Sequence, residues 1–172
     1  MSINSENMKK YIFTTLLLLF VSLNSFCQKT EEFPSFEKFY SSISKTLKYP
    51  PELRDSCIAT VTIMKVNFGS VGRTPTISFS DSAHPSFVEY LQKIKGQLDF
   101  KSIYEDLKEK GYESKTVLIP LQFDSEKIIV CNSTISSSSL IKLYLFNGKP
   151  VAGDYIIYPA VYFKVVVGQT HV

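Results

Sequence analysis

The residues able to carry chemistry are few and scattered. Beyond position 27 the chain holds two histidines, His84 and His171, and two cysteines, Cys57 and Cys131. His84 precedes Pro85 at a predicted helix entry, which suits a surface turn residue better than a general base, and His171 stands next to the C-terminus. No spacing among these four fits a metal-ligand set, so neither metal nor cofactor is expected. Serines are abundant, yet no Gly-x-Ser-x-Gly nucleophile elbow occurs. Gly69-Ser70-Val71-Gly72 has the look of a phosphate loop but lacks the following Lys and helix, so it reads as a hairpin turn. Glu105, Asp106 and Glu109 interleave with Lys101, Lys108 and Lys110, the pattern of a solvated helical face. The expected function is therefore non-enzymatic, with no catalytic residue assigned. A hydrolase with an unrecognised site is the residual alternative.

The compartment is easier to read than the chemistry. Lys9-Lys10 precede an uncharged apolar stretch from Tyr11 to Leu23, and Ser25-Phe26-Cys27 places small residues at the two positions a signal peptidase reads. This order predicts a cleavable signal peptide over residues 1–27, with Gln28 the first mature residue and Met8 a candidate start. The expected location is the periplasm or the medium. Two other readings stay open. One is an uncleaved anchor, for which the stretch is short against the roughly 20 apolar residues of a membrane span. The other is a lipid-modified Cys27, the only case in which a membrane would be a partner. An oxidising compartment permits a Cys57–Cys131 disulfide. Both cysteines adjoin apolar β-like runs, however, and the reading favours two buried thiols.

Removing Lys9, Lys10 and Glu6 from the 19 basic and 16 acidic residues leaves a formal charge of +2, which gives no reason to expect nucleic acid. Residues 28–172 are enough for one domain with its own core. Plentiful Phe and Tyr without Trp favour a sheet-rich fold.

Phe36, Phe39, Tyr40, Ile43 and Leu47 recur at helical spacing, with Ser35 as the expected N-cap, and Tyr49-Pro50-Pro51 stops that helix. Ile58 to Phe68 reads as a strand whose alternation slips at Met64-Lys65, predicting a bulge. After the turn at Gly69 to Gly72, Thr74 to Phe79 returns as a second strand. Asp81, Ser82 and Ser86 are candidate caps for a helix carrying Phe87, Leu91, Ile94 and Leu98, and a shorter helix, Ile103 to Lys110, ends at Gly111. Lys115 to Phe123 forms a third strand, and Pro120 within it predicts a sheet edge, because proline cannot donate to a ladder. Ser136 to Ser139 reads as a link, Asn147-Gly148 as a tight turn, and the short apolar runs beyond Phe123 as two to four further strands.

From Tyr49-Pro50 to Phe123 the chain resembles the C-terminal domain of the TonB family, the periplasmic module that contacts outer-membrane transporters. The resemblance rests on several features in order. They are Tyr-Pro after a helix, the alternating strand Ala59 to Phe68, the Val71-Gly72-Arg73 turn, the Ile77-Ser78-Phe79-Ser80 strand, and a final Leu118-Ile119-Pro120-Leu121-Gln122-Phe123. It implies an α+β fold of helix, β-hairpin, helix and β-strand, here over residues 28–125, with additional C-terminal strands over 126–172 packed on the same domain. The transducers' inner-membrane anchor and long Pro-rich spacer have no counterpart. Gln28 to Ser35 is too short for a spacer at about 3.5 Å per residue, so the transporter contact is not carried over. What the family does suggest is uptake of an extended peptide by an open sheet edge, unless the tail covers that edge.

The expected partner is thus a protein or peptide of the cell envelope. Candidate binding positions are the strand edge at Thr116, Leu118, Pro120 and Gln122 and the aromatics Tyr155, Tyr158, Tyr162 and Phe163, although these aromatics read more simply as core. The alternative is a structural subunit that self-assembles through its C-terminal strands. Protein recovered from an envelope fraction should have an intact mass beginning at Gln28. A mass beginning at a lipidated Cys27 would replace a soluble protein with a tethered one.

Overall fold

Pro34, whose fixed φ suits a first helical position, opens α1 (Pro34–Thr46) directly after Phe33. Ser35 is thus not the cap but a buried member of the first turn. Phe39 and Ile43, four apart, form the buried stripe. The double proline ends this helix as expected and starts another, because Pro51 is again at the first helical position of the short α2 (Pro51–Asp55). The computed structural model describes residues 33–69, 75–127 and 131–167, with main chain alone at 131, 132 and 167. The expected signal segment with Cys27 and Gln28, the expected turn at residues 70–74, Ile128 to Val130, and His171 lie outside it.

The fold is α+β. β1 (Thr60–Asn67) pairs antiparallel with β2 (Thr76–Phe79), and α3 (Pro85–Ile94), a 3-10 turn (Lys95–Gln97) and α4 (Phe100–Glu109) follow before β3 (Thr116–Lys127). This is the expected order of helix, hairpin, helix and strand. α3 is capped by neither Asp81 nor a serine: His84 Nδ1 accepts the Ser86 N–H at 3.3 Å. Asp99 caps α4 by accepting the Ser102 N–H at 3.0 Å, and Gly111 closes that helix at φ 71°, where a side chain would be strained. Phe87, Leu91, Ile94, Phe100, Ile103 and Leu107 from these helices meet Met64, Val66, Val117, Ile119, Leu121 and Phe123 of the sheet in one core.

The expected bulge at Met64-Lys65 is absent. β1 runs in unbroken register against β3 from Thr60↔Phe123 to Val66↔Val117. Its core face is Thr60, Thr62, Met64 and Val66, and the two threonines disguised the alternation. They are tolerated inside because each has a partner: Tyr49 Oη lies 2.9 Å from Thr60 Oγ1, and Ser80 Oγ lies 2.9 Å from Thr62 Oγ1 while accepting the Ile63 N–H.

The tail is more elaborate than predicted. β3 continues to Lys127, so the expected boundary at residue 125 falls inside a strand, and Phe33–Val172 forms a single compact unit. After β4 (Cys131–Asn132), Ser136 caps a real helix, α5 (Ser137–Lys142), where a link was expected. β5 (Leu145–Phe146) and β6 (Lys149–Pro150) form a hairpin around Asn147 and Gly148, both at positive φ. β7 (Tyr155–Ile157) and β8 (Val161–Val167) then return to the main sheet, giving five tail strands rather than two to four.

The hairpin covers the sheet face opposite the helices. Phe146 packs there on Ile63 and Leu118, flanked by Leu143 and Val151. Asp81 fastens it by accepting the Asn147 and Gly148 N–H groups at 2.8 and 2.7 Å. Phe146→Ala is expected to cost about 3 kcal/mol, the low end for a buried Phe because the cluster is small. Phe146→Leu should cost less than about 1.5 kcal/mol. Urea unfolding followed by circular dichroism measures both.

Candidate functional site

β3 is not an edge. β1 lies along one side of it, and β7 and β8 lie parallel along the other, with Thr116↔Tyr155 to Leu118↔Ile157 and then Leu121↔Val161 to Lys127↔Val167. The expected edge at Thr116, Leu118, Pro120 and Gln122 is therefore filled by the chain's own tail. Successive strand residues turn their main-chain groups to opposite edges. Thr116 N–H donates to Asp154 O, and Tyr158 N–H donates to Leu118 O, so the even-numbered residues of β3 face the tail. Pro120 is one of them, and it falls in the gap where β7 has ended and β8 has not begun. The proline marks a break in the ladder, which the sequence does not distinguish from an edge.

The side chains of the same four residues lie on the sheet face opposite the helices. Leu118 is buried under Phe146, Thr116 Oγ1 donates to Asn67 Oδ1 at 2.7 Å, and Gln122 Nε2 donates to the Asp124 carboxylate at 3.3 Å.

The four aromatics divide. Tyr158 is core: its ring packs on Phe33 at 4.4 Å between centroids, and its hydroxyl lies 3.1 Å from Ser35 Oγ and donates to Asp106 Oδ2 at 3.3 Å. Ser35 donates to the same oxygen at 2.8 Å, and Lys110 pairs with the other at 3.3 Å. Asp106 is thus a buried acceptor, not part of a solvated face. Phe163 stacks on Tyr40 and tilts against Phe123, each at 5.2 Å. Tyr155 and Tyr162 remain 42% and 49% exposed, and Tyr162 Oη donates to Asp124 Oδ2 at 3.0 Å.

Among the described residues β2 pairs only with β1 and β8 only with β3, so both are open edges, and β8 is the one formed by the tail. In a parallel pair each residue bonds the two neighbours of its partner. With Gln122 opposite Tyr162, Phe163 and Val165 turn inward to β3, and Tyr162, Lys164 and Val166 turn their N–H and C=O groups outward. Tyr162 O accordingly accepts from Tyr40 Oη on α1, at 3.5 Å. Beyond that contact, α1 and β8 diverge around a cavity of about 100 Å³ lined by Ile43, Ser44, Leu47, Tyr49, Phe163, Lys164 and Val165. Tyr49 is fixed there by donating to Ile58 O at 2.7 Å. The groove thus has a main-chain row on one side, an apolar floor, and a helix on the other. Sequence reading missed it because nothing local to Ile43 or Phe163 says they meet, although Val161 to Val167, with one charge, carries the signal of a β-prone run. A larger depression of about 410 Å³ beside Gln92, Leu98 and Phe100 is rimmed by Lys93, Lys95 and Lys101. Lys93 and Lys101 there pair with Glu89 and Glu105 on their own helices.

His84 is occupied as a helix cap, and no group of three His, Cys, Asp or Glu among the described residues could hold a metal ion. Nor is any described helix long and apolar enough to cross a membrane. Cys57 is not a buried thiol but disulfide-bonded, and it sits at φ 51° in the bend after α2. The main chain of Cys131 lies opposite Lys127, whose ammonium donates to Asp55 O, two residues from Cys57. No protein-family model, curated protein or solved structure matches the chain.

Burial raises the phenol pKa of both Tyr158 and Tyr49 above the usual value. The Asp106 charge adds to the shift at Tyr158, while the Ser35 and Thr60 hydrogen bonds partly oppose the shifts at Tyr158 and Tyr49 respectively. Below pH ~10 these phenols are protonated folded and unfolded, and their contribution to stability is complete. Above it the unfolded chain releases protons that the folded chain keeps, so stability should fall as pH rises. Urea midpoints between pH ~9 and ~11.5 should show this fall, with a shallower slope for Tyr158→Phe.

Proposed function

We propose that this chain is an exported, TonB-like binding domain of the cell envelope that takes up an extended protein or peptide segment along the outer edge of β8, with no catalysis of its own. The observation that carries the reading is the groove itself. Outward-facing main-chain groups on Lys164 and Val166 can extend the sheet by one strand, and the cavity between α1 and β8 can hold one aliphatic side chain of the incoming segment. Main-chain hydrogen bonds then supply affinity and the pocket supplies selectivity. The disulfide at Cys57 supports an oxidising compartment, in keeping with the signal-like N-terminus.

One observation favours a second reading, self-assembly through the same edge. The seven residues of β8 carry a single charge, Lys164, and it is paired with Glu126, so the edge lacks the free charges that usually discourage pairing with another copy. Light scattering after size exclusion separates the two, because a strict monomer at tens of micromolar removes self-assembly.

The test of peptide uptake is a titration of the ¹⁵N-labelled protein with a soluble heptapeptide alternating valine and threonine between terminal lysines. Amide shifts are expected along Val161–Val167 and α1. Ser44 is exposed on the groove wall, so Ser44→Arg should block it and weaken binding about tenfold or more without changing the thermal midpoint. Shifts confined to β2, or none, would overturn the proposal.

A further inference from the structure

The tail presents a second surface. Seven of the nine exposed large hydrophobics among the described residues lie between positions 140 and 166, and three of them adjoin at the end of α5: Leu140 and Ile141 in the helix and Tyr144 in the turn just after it, at 53%, 75% and 57% exposure. Exposed apolar residues scattered singly are ordinary, whereas adjoining ones mark an interaction surface. The face is also held firmly. Leu143, on the other side of the same turn, packs toward Ile63, Leu118 and Phe146. Val151 N–H donates to Tyr144 O, and Asp81 N–H donates to Leu145 O.

Charge decides between occupants. From residue 128 onward the chain carries Lys142, Lys149 and Lys164 against one acid, Asp154, while the remainder of the exported chain is balanced. Lys142 lies in α5 itself, and Lys149 lies in the hairpin that follows, both exposed. A second copy docking by a two-fold axis would bring Lys142 and Lys149 of both copies into one interface with no acid among the exposed residues of α5 and the hairpin to offset them, which like charges oppose. An anionic surface complements them.

We propose that this face rests on an anionic lipid bilayer. Leu140 and Ile141 enter the boundary between headgroups and acyl chains, Tyr144 sits at headgroup level, and Lys142 and Lys149 meet the lipid phosphates. Three shallow side chains and two lysines give weak, reversible adsorption, which orients the domain on the membrane without anchoring it. The surface is separate from the β8 groove and does not depend on peptide uptake there.

The test is flotation of the processed protein with phosphatidylglycerol-containing vesicles and with pure phosphatidylcholine vesicles. Binding to the first and not the second is expected, weakening as salt is raised. The double variant Leu140→Ser/Ile141→Ser should lower partitioning about tenfold at unchanged thermal midpoint, since both side chains are already in solvent. Lys142→Glu should also lower it, whereas Ser44→Arg should not, which keeps this surface distinct from the groove. Equal flotation on both lipids, or full retention by the double variant, overturns the proposal. So does an absence of flotation with a photo-crosslink from position 141 to a protein, which would assign the face to a protein partner.

Discussion

β3 carries twelve residues of main-chain donors and acceptors through the middle of the molecule, and each group left dry without a partner would cost on the order of 1–3 kcal/mol. The antiparallel hairpin satisfies only one side of it. The other side is satisfied from far along the chain, by two short parallel strands that meet β3 head to tail with Pro120 between them. Parallel neighbours cannot be joined by a tight turn, and the connection here is α5 and the β5–β6 hairpin. That crossing segment has a second role: Phe146 and Val151 dry the sheet face that the helices do not reach. The tail is therefore part of the domain's construction and not an appendage to it.

Polar groups inside the core follow the same rule. Tyr158, Ser35, Asp106 and Lys110 bring the last strands, the first helix and α4 to one point. Thr60 with Tyr49, and Thr62 with Ser80, occupy positions where apolar residues would pack as well. No buried side-chain nitrogen or oxygen among the described residues lacks a partner. Each of these bonds contributes only about 1 kcal/mol net, but a different register or docking angle would leave several of them unmade. They act as pins, making the alternatives costly.

Saturating β3 moves the open edge on that side of the sheet outward, from the strand where Pro120 suggested it to β8. The groove there owes one wall to α1 and its main-chain row to the tail, so it exists only once both ends of the chain are assembled. A binding site made in this way is unavailable to a partially folded chain. Its opening is also limited by Tyr40, which stacks on Phe163 and covers the first outward carbonyl.

Local physics made much of this legible. The 3.6-residue spacing of Phe39 and Ile43, and of Phe87, Leu91 and Ile94, set two helices with their buried faces, and proline and glycine marked the ends of helices. β-branched runs set the strands, and Asn147-Gly148 set the tail hairpin. The errors share one cause. The strand of Thr60 and Thr62 read as bulged, Pro120 as an edge, Ser35 as a cap and Asp106 as part of a solvated face, because each was judged without its distant partner. Tyr49, Ser80, the β7–β8 gap, Asp106 and Tyr158 lie between 11 and 123 residues away from the residues they satisfy. The sequence by itself determined which segments are helical or extended and which faces are apolar, since those depend on neighbours within a turn or two. Tertiary structure alone decided which strand is central and where the groove opens, because those depend on which unpaired main-chain groups and buried polar atoms find each other across the fold.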